Sequence, residues 1–137
     1  MNKSHIGKFA VASAVLTFST LFLGLSAAQQ TNDKPETVIV TYHAKPGSEA
    51  ELASVIAKQW RIARDLKLVR EAPHVAVRGT EDGNKTYFVE IFTWRDASIP
   101  DSAPAAIQAI WAVMNKLVEP RGGKSGIDIA EVSVFAP

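Results

Sequence analysis

Four side chains that could move a proton or stabilise a negative charge lie in or beside predicted strands: His43, His74, Arg78 and Glu90. A histidine suits general-base catalysis because imidazole ionises near neutral pH. An arginine can stabilise the anion that loss of a proton would leave. The alternation of side chains along the strands predicts that all four lie on one face of a sheet. They are therefore the candidate catalytic residues.

Three aromatic residues share the predicted face with them, Phe88, Phe92 and Trp94. Aromatic side chains stack on aromatic ligands, so these three are the candidate substrate-binding residues. A purely structural interpretation competes with this one. Arg78 and Glu90 would then form a cross-strand ion pair, and Trp94 would pack in the core. Trp60 and Trp111 fall on predicted helix stripes and are expected to serve packing.

The elements that must position these residues follow the order β-α-β-β-α-β. Strands are predicted at 36–43, 73–80, 85–94 and 127–135 from β-branched and aromatic residues. One helix should follow Ser48 and end near Val69, and a second should span 103–119. A capping box is expected at Ser48–Glu51, and a hairpin at Asp82-Gly83. A slip in alternation between Ile129 and Val132 predicts a bulge in the last strand.

This order predicts a ferredoxin-like α+β fold, with an antiparallel four-stranded sheet and both helices on the same face. Both faces of the sheet carry large apolar side chains, but the two helices can cover only one face. The apolar side chains of the other face would therefore remain exposed. Exposed apolar patches of that size are rare in monomers. We therefore expect a homodimer that packs sheet against sheet. Strand parity predicts two residue sets. The first is Val38, Val40, Tyr42, Val75, Val77, Tyr87, Val89 and Ile91. The second is Ile39, Thr41, His43, His74, Arg78, Phe88, Glu90, Phe92 and Trp94.

The first 28 residues have the pattern of a secretory signal peptide. Lys3 and Lys8 precede an uncharged run over 9–25, and small residues precede the expected cleavage after Ala28. The alternative is an uncleaved membrane anchor, although 17 residues is at the short limit for a span. We expect an exported protein, periplasmic or secreted, with a flexible leader at 29–35 and one domain at 36–137. A membrane would be a partner only through an uncleaved signal segment.

Composition excludes several classes of function. There is no cysteine, hence no disulfide and no thiolate metal site. The formal charge is +1. Because Lys3 and Lys8 leave with the signal, the mature chain would carry 13 basic and 14 acidic residues, or −1. No basic surplus remains for a nucleic-acid partner. Two histidines in the mature chain make a weak case for a metal, and none is expected.

Two segments resemble a known family. The strand, Lys-Pro-Gly break and capped helix of 38–51 are similar to the opening of antibiotic-biosynthesis monooxygenase-like domains, which belong to the dimeric α+β barrel superfamily. The segment 87–96, YFVEIFTWRD, resembles the third strand of that family, which commonly ends in Trp followed by an acidic residue. The resemblance extends over about 37–135. It implies a small exported homodimer with a pocket in each subunit.

The resemblance also implies a choice of activities. Some members oxidise quinols or aromatic polyketides with O₂ and need no cofactor, whereas others degrade haem. The haem-degrading type uses an Asn in strand one and a His in helix two, and this chain has neither. The resemblance therefore implies a cofactor-independent oxygenase of a small aromatic or quinol substrate. The alternative is a non-catalytic homodimer that binds a small ligand or has a structural role.

Overall fold

The computed structural model describes residues 34–137. The predicted signal peptide at 1–28, and the predicted leader up to residue 33, lie outside the described residues. The described part contains four strands and two α-helices. In chain order these are β1 (Glu36–His43), α1 (Glu49–Asp65), β2 (Val69–Glu81), β3 (Lys85–Trp94), α2 (Ala105–Leu117) and β4 (Ile127–Glu131), with a 3₁₀ turn at Pro100–Ser102 before α2.

The four strands form one antiparallel sheet in the order β2-β3-β1-β4. Helix α1 connects β1 to β2 and helix α2 connects β3 to β4, and in both cases the two strands are not adjacent in the sheet. Strands β1 and β3 occupy the centre, and β2 and β4 lie at the edges. This arrangement is the ferredoxin-like α+β fold that the element order predicts. Of the helices in 34–137, none combines the length and apolar character needed to cross a membrane.

The hairpin between β2 and β3 is confirmed. Gly83 and Asn84 both have positive φ, 74° and 59°, as the reversal of a tight turn requires. Strand β2 is longer than predicted because it begins at Val69, and its pairing with β3 breaks between Val69 and His74. Helix α1 is shorter than predicted, because it ends at Asp65 and not near Val69.

Two predicted local features are absent, and one helix is shorter than predicted. Ser48 precedes α1 as expected, but its side chain makes no capping hydrogen bond, so the capping box does not form. Strand β4 ends at Glu131 and contains no bulge; only the Val132 N–H continues the pairing, to the Thr37 carbonyl at 2.9 Å. Helix α2 is two residues shorter at each end than the predicted 103–119.

The register of the sheet corrects the predicted faces. Val40 lies directly opposite Glu90, and Val38 lies opposite Phe92. Directly opposed residues in an antiparallel pair share a face, so the even-numbered residues of β1 accompany Glu90 and Phe92. The helices pack on this side, called the covered face: Val38, Val40, Tyr42, His74, Arg78, Phe88, Glu90, Phe92 and Trp94.

The other side is the open face, which no helix in the described residues covers. Its members are Ile39, Thr41, His43, Val75, Val77, Tyr87, Val89 and Ile91. Val75 and Val77 are 47% and 52% exposed, although valine normally gains free energy from burial. The prediction that His43 joins the other candidate residues is therefore wrong. A shift of one residue in a strand moves every side chain to the opposite face.

The core lies between the covered face and the two helices. Leu52 and Ile56 of α1, with Ile107 and Met114 of α2, are nearly inaccessible to solvent and recur at the helical spacing seen in the sequence. Gln59 occupies a position on the same buried stripe of α1 and is only 4% exposed. Leu66 follows the last residue of α1 and is 47% exposed.

Gly79 of β2 leaves room for the ring of Tyr87, its partner on β3 across the open face. A methyl group at position 79 would overlap the Tyr87 ring atoms. We therefore expect Gly79→Ala to lower the free energy of unfolding by about 1–3 kcal/mol, a usual cost of overpacking. Urea unfolding measures it. In a Tyr87→Ala background the same substitution should cost less than half as much; an equal cost in both backgrounds would contradict the contact.

Candidate functional site

A cavity of about 420 Å³, called the larger cavity, lies between the covered face and α2. Volumes in this range are typical of sites for small organic ligands. Three aromatic side chains form much of its wall, Phe92, Trp94 and Trp111. The rings pack edge to face, with centroids 5.0 Å apart for Phe92–Trp94 and 6.4 Å apart for Trp94–Trp111. Such a wall suits a planar aromatic ligand.

A buried polar chain adjoins this cavity. Tyr42 lines the cavity, and its hydroxyl donates to Glu90 Oε2 at 3.1 Å. The other carboxylate oxygen, Glu90 Oε1, lies 2.9 Å from His74 Nε2. Glu90 is only 1% exposed, whereas the His74 side chain is 24% exposed. The three residues therefore connect the cavity to the protein surface through hydrogen bonds.

Burial shifts the acidity of two members of this chain. It raises the pKa of Glu90 above its ordinary value, and the hydrogen bonds from His74 and Tyr42 only partly oppose that rise. The pKa of Tyr42 is raised well above its ordinary value, first by burial and then by the adjacent negative charge of Glu90. A buried carboxylate with a raised pKa is a better proton acceptor than one in water.

A hydrogen-bonded pair lies beside this polar chain. Trp111 Nε1 of α2 donates to Gln59 Oε1 of α1 at 2.7 Å, which links the two helices. Gln59 also lines the larger cavity, and its hydrogen bond with Tyr42 partly offsets the rise in the pKa of Tyr42. Trp111, predicted to serve packing alone, thus also forms part of the cavity wall.

A smaller cavity of about 350 Å³ lies on the other side of Glu90, between α1 and the β2–β3 hairpin. Trp60 stacks on the His74 ring there, with centroids 3.6 Å apart and planes within 7°. Arg78 and Phe88 also line it; the Arg78 guanidinium lies 5.9 Å from the Phe88 ring centre. The Arg78–Glu90 ion pair of the structural interpretation does not form, and the Glu90 carboxylate lies against His74 instead.

His43 belongs to a separate cluster. Its Nδ1 lies 2.9 Å from Glu81 and its Nε2 lies 3.0 Å from Asp128, so it joins β1 to β2 and β4. Arg121 pairs with the same Glu81 carboxylate and donates to the Ala44 carbonyl. Arg121 holds the pKa of Glu81 below its ordinary value, and His43 adds to this effect. This cluster links β1, β2 and β4 and the segment that precedes β4, and it lines neither cavity.

The structure thus divides the candidate residues into three groups. Phe92 and Trp94 line the larger cavity, whereas His74, Arg78, Phe88 and Glu90 line the smaller one, and His43 lies apart. The sequence interpretation missed Tyr42 and Gln59. A polar residue on the apolar stripe of α1 was a detectable signal for Gln59. Tyr42 had no such signal, since its assignment depended on the pairing of β1 with β3.

Metal binding has no support in the part of the chain that the structure describes. No group of three or more histidine, aspartate or glutamate side chains in 34–137 is arranged to hold an ion. The chemistry that the described residues offer is proton transfer beside an aromatic-walled cavity.

Comparisons with known proteins bear on the fold. No protein-family model matches the sequence, and none of the curated proteins matches it. Solved structures do. A variant of SnoaB, a cofactor-independent oxygenase from Streptomyces nogalater, matches with a TM-score of 0.55 at 16% identity, over 75% of this chain and 95% of that one.

Two further structures agree with it. An antibiotic biosynthesis monooxygenase matches with a TM-score of 0.55 at 14% identity, over 74% of this chain and 99% of the other. PA3566 from Pseudomonas aeruginosa matches with a TM-score of 0.55 at 17% identity, over 74% and 95% of the two chains. Identities this low establish shared architecture and leave the activity open. The chain therefore contains a domain with the fold of the antibiotic biosynthesis monooxygenases, as its sequence resemblance predicts.

Proposed function

We propose that this protein is a cofactor-independent oxygenase of a small aromatic or quinol substrate. The observation that carries the proposal is the cavity of about 420 Å³, which combines an aromatic wall at Trp94 with the Tyr42–Glu90 hydrogen bond. The wall would hold the ring, and the polar end would receive a phenolic hydroxyl. SnoaB has the same fold and is described as a cofactor-independent oxygenase, which supports this choice of reaction class.

The chemistry needs no reductant besides the substrate. A deprotonated hydroquinone is electron-rich and can pass an electron to O₂, after which a C–O bond forms between the two radicals. Loss of water from the resulting hydroperoxide leaves a hydroxyquinone, so one oxygen atom of O₂ enters the ring and the other leaves as water. The protein would bind and orient the ring, accept its proton and keep bulk water away.

Oxygen uptake with a panel of hydroquinones tests the proposal. Ile129 and Val134 provide a matched pair, because both are 68% exposed and only Ile129 lines the cavity. Ile129→Trp should obstruct the cavity and lower the rate at least about tenfold, which corresponds to about 1.4 kcal/mol of barrier. Val134→Trp should leave the rate unchanged. If no hydroquinone raises oxygen uptake above that of buffer, the oxygenase proposal is wrong.

One observation favours a ligand-binding protein as the second candidate. Arg78, expected to stabilise a reacting anion, is exposed and lies outside the larger cavity. A protein that only binds an aromatic ligand would need no such charge. Binding of the hydroquinones without oxygen uptake would favour this candidate over the oxygenase.

We further propose that two copies associate through their open faces and that the protein is exported. Val75 and Val77 would leave water in such a dimer, and burial of an apolar side chain of this size contributes about 1.5–3 kcal/mol. Val77→Asp should dissociate the dimer, whereas Val113→Asp on the outer side of α2 should not; both valines are exposed. Light scattering measures the mass, and a one-chain mass for the unmodified protein at micromolar concentration would exclude the dimer.

Intact-mass spectrometry of exported material tests cleavage after Ala28.

A further inference from the structure

A continuous line of hydrogen-bonding groups crosses the covered face of the sheet. It begins at Tyr42 of β1, passes through Glu90 of β3 and ends at His74 of β2. Tyr42 lines the larger cavity and His74 lines the smaller one. The charge on Glu90 is thus enclosed between two hydrogen-bonding neighbours, with only 1% of the residue exposed.

We infer that Tyr42, Glu90 and His74 form a proton path, through which a phenol bound in the larger cavity loses its hydroxyl proton to the protein surface. The inference rests on the proposed function, since it assigns the proton acceptor that an oxygenase of phenolic substrates needs. Tyr42 would contact the substrate. Glu90 and His74 act through Tyr42 and are positioning residues.

The transfer balances without an oxidant or a reductant. The phenol proton passes to the Tyr42 oxygen while the Tyr42 hydroxyl proton passes to Glu90 Oε2. Tyr42 ends unchanged, Glu90 becomes a carboxylic acid and the negative charge moves to the phenol. Because burial disfavours the charged carboxylate, the protonated form of Glu90 is a favourable product of this step.

His74 provides the way out. Its Nε2 faces the second oxygen of Glu90, and its side chain is 24% exposed. Trp60 of α1 holds the imidazole in place by stacking on it at 3.6 Å. The other charged groups lining the smaller cavity are Arg61 of α1 and Arg78 of β2. Both are cations, and neither can accept a proton. His74 Nε2 accepts the proton from protonated Glu90 when the neutral imidazole carries its own hydrogen on Nδ1, so His74 in that tautomer is the acceptor on this side of Glu90.

Binding of 4-nitrophenol to the full-length protein tests the path without any turnover. This probe is yellow only as the phenolate, so its absorbance reports where its proton is. At a pH below the pKa of the free probe, the unmodified protein should bind it as the phenolate. We expect the bound probe to ionise about one pH unit lower than the free probe, a tenfold change in acidity.

Three variants locate the path. Tyr42→Phe and Glu90→Gln should bind the probe as the neutral phenol, because each removes one acceptor. Tyr87→Phe is the matched control on the open face and should behave as the unmodified protein. His74→Gln should retain the phenolate absorbance but slow its appearance after a pH jump at least about tenfold. Circular dichroism establishes that each variant is folded; Tyr42→Phe, which removes one oxygen, keeps the test valid if Glu90→Gln does not fold.

The other outcomes either overturn the inference or separate it from the proposed function. A probe that binds the unmodified protein only as the neutral phenol excludes the path, as does a phenolate signal that persists in both Tyr42→Phe and Glu90→Gln. An unchanged rate in His74→Gln excludes the exit through His74. Failure of the probe to bind removes both the path and the proposed site. If the probe ionises but no hydroquinone consumes oxygen, the path stands and the oxygenase proposal fails.

Discussion

Replacing Trp94 by alanine is expected to lower the free energy of unfolding by about 3–5 kcal/mol, the usual cost of emptying a buried aromatic site. Trp94 is 5% exposed and packs edge to face against both Phe92 and Trp111. One side of its ring already faces a cavity, so fewer neighbouring side chains are close enough to move into the space that the ring leaves. Urea unfolding followed by circular dichroism measures the loss.

Trp60→Ala is the matched control for this prediction. Trp60 is only partly buried and stacks mainly on His74, so its removal should cost less than half as much as that of Trp94. Indole added to the Trp94→Ala variant should raise its melting temperature more than that of the unmodified protein, since a ligand that binds only the folded state stabilises it. A loss below about 0.5 kcal/mol, within the range of ordinary surface substitutions, would contradict the packing described for Trp94.

The second large effect concerns pH and Glu90. The unmodified protein should lose stability relative to Glu90→Gln as the pH rises from 4.5, the ordinary pKa of the carboxyl group. Burial raises the pKa of Glu90 in the folded protein, so folding favours the protonated acid. That contribution is complete below 4.5 and is lost as the pH rises through the folded-state value. The expected size is about 1.4 kcal/mol for each pKa unit of elevation.

The difference between the two proteins is the quantity to measure, by urea unfolding at several pH values. Glu81 and Asp96 have lowered pKa values and cost stability as the pH falls, but they do so equally in both proteins. Tyr42→Phe provides a second test, in which the pKa of Glu90 is raised further and not removed. The Tyr42 hydrogen bond lowers the pKa of Glu90, so its loss should extend the decline to higher pH. A difference that does not change with pH would show that burial leaves the acidity of Glu90 unaltered.

These two effects concern different parts of one site. Trp94 forms the aromatic wall, and its contribution is mainly to packing and to the shape of the cavity. Glu90 acts through its buried charge, which we expect to reduce stability above its folded-state pKa. A buried ionisable group that costs stability is a frequent feature of functional sites. Its location between a cavity and a partly exposed histidine is the reason to assign it to proton transfer.

The β2–β3 hairpin shows how far sequence reasoning reaches. The Asp82-Gly83 turn sets the register between the two strands it joins, so the grouping of His74 and Arg78 with Phe88 and Phe92 agrees with the observed pairing. The helix stripes likewise follow from the 3.6-residue period, which marks Ile107, Ile110 and Met114 of α2 as core. Local spacing therefore determined the element order, the fold class and most of the helical core.

The placement of β1 depended on tertiary structure. A helix, and not a turn, leads out of β1, so no local geometry fixes its register with β3. Its two faces are also almost equally apolar, with Val38, Val40 and Tyr42 on one and Ile39 and Thr41 on the other. Only packing against the helices selects the first face for burial. That selection places Tyr42 beside Glu90 and His43 on the opposite side of the sheet.

The sequence by itself therefore determined which secondary structures form and which aromatic residues are available to line a cavity. Tertiary structure alone decided which polar side chains meet. The physical reason is that hydrogen bonds such as Tyr42–Glu90 and His74–Glu90 join residues 48 and 16 positions apart on neighbouring strands. Their formation requires a register that depends on the burial of the whole covered face and has no signal in either strand alone.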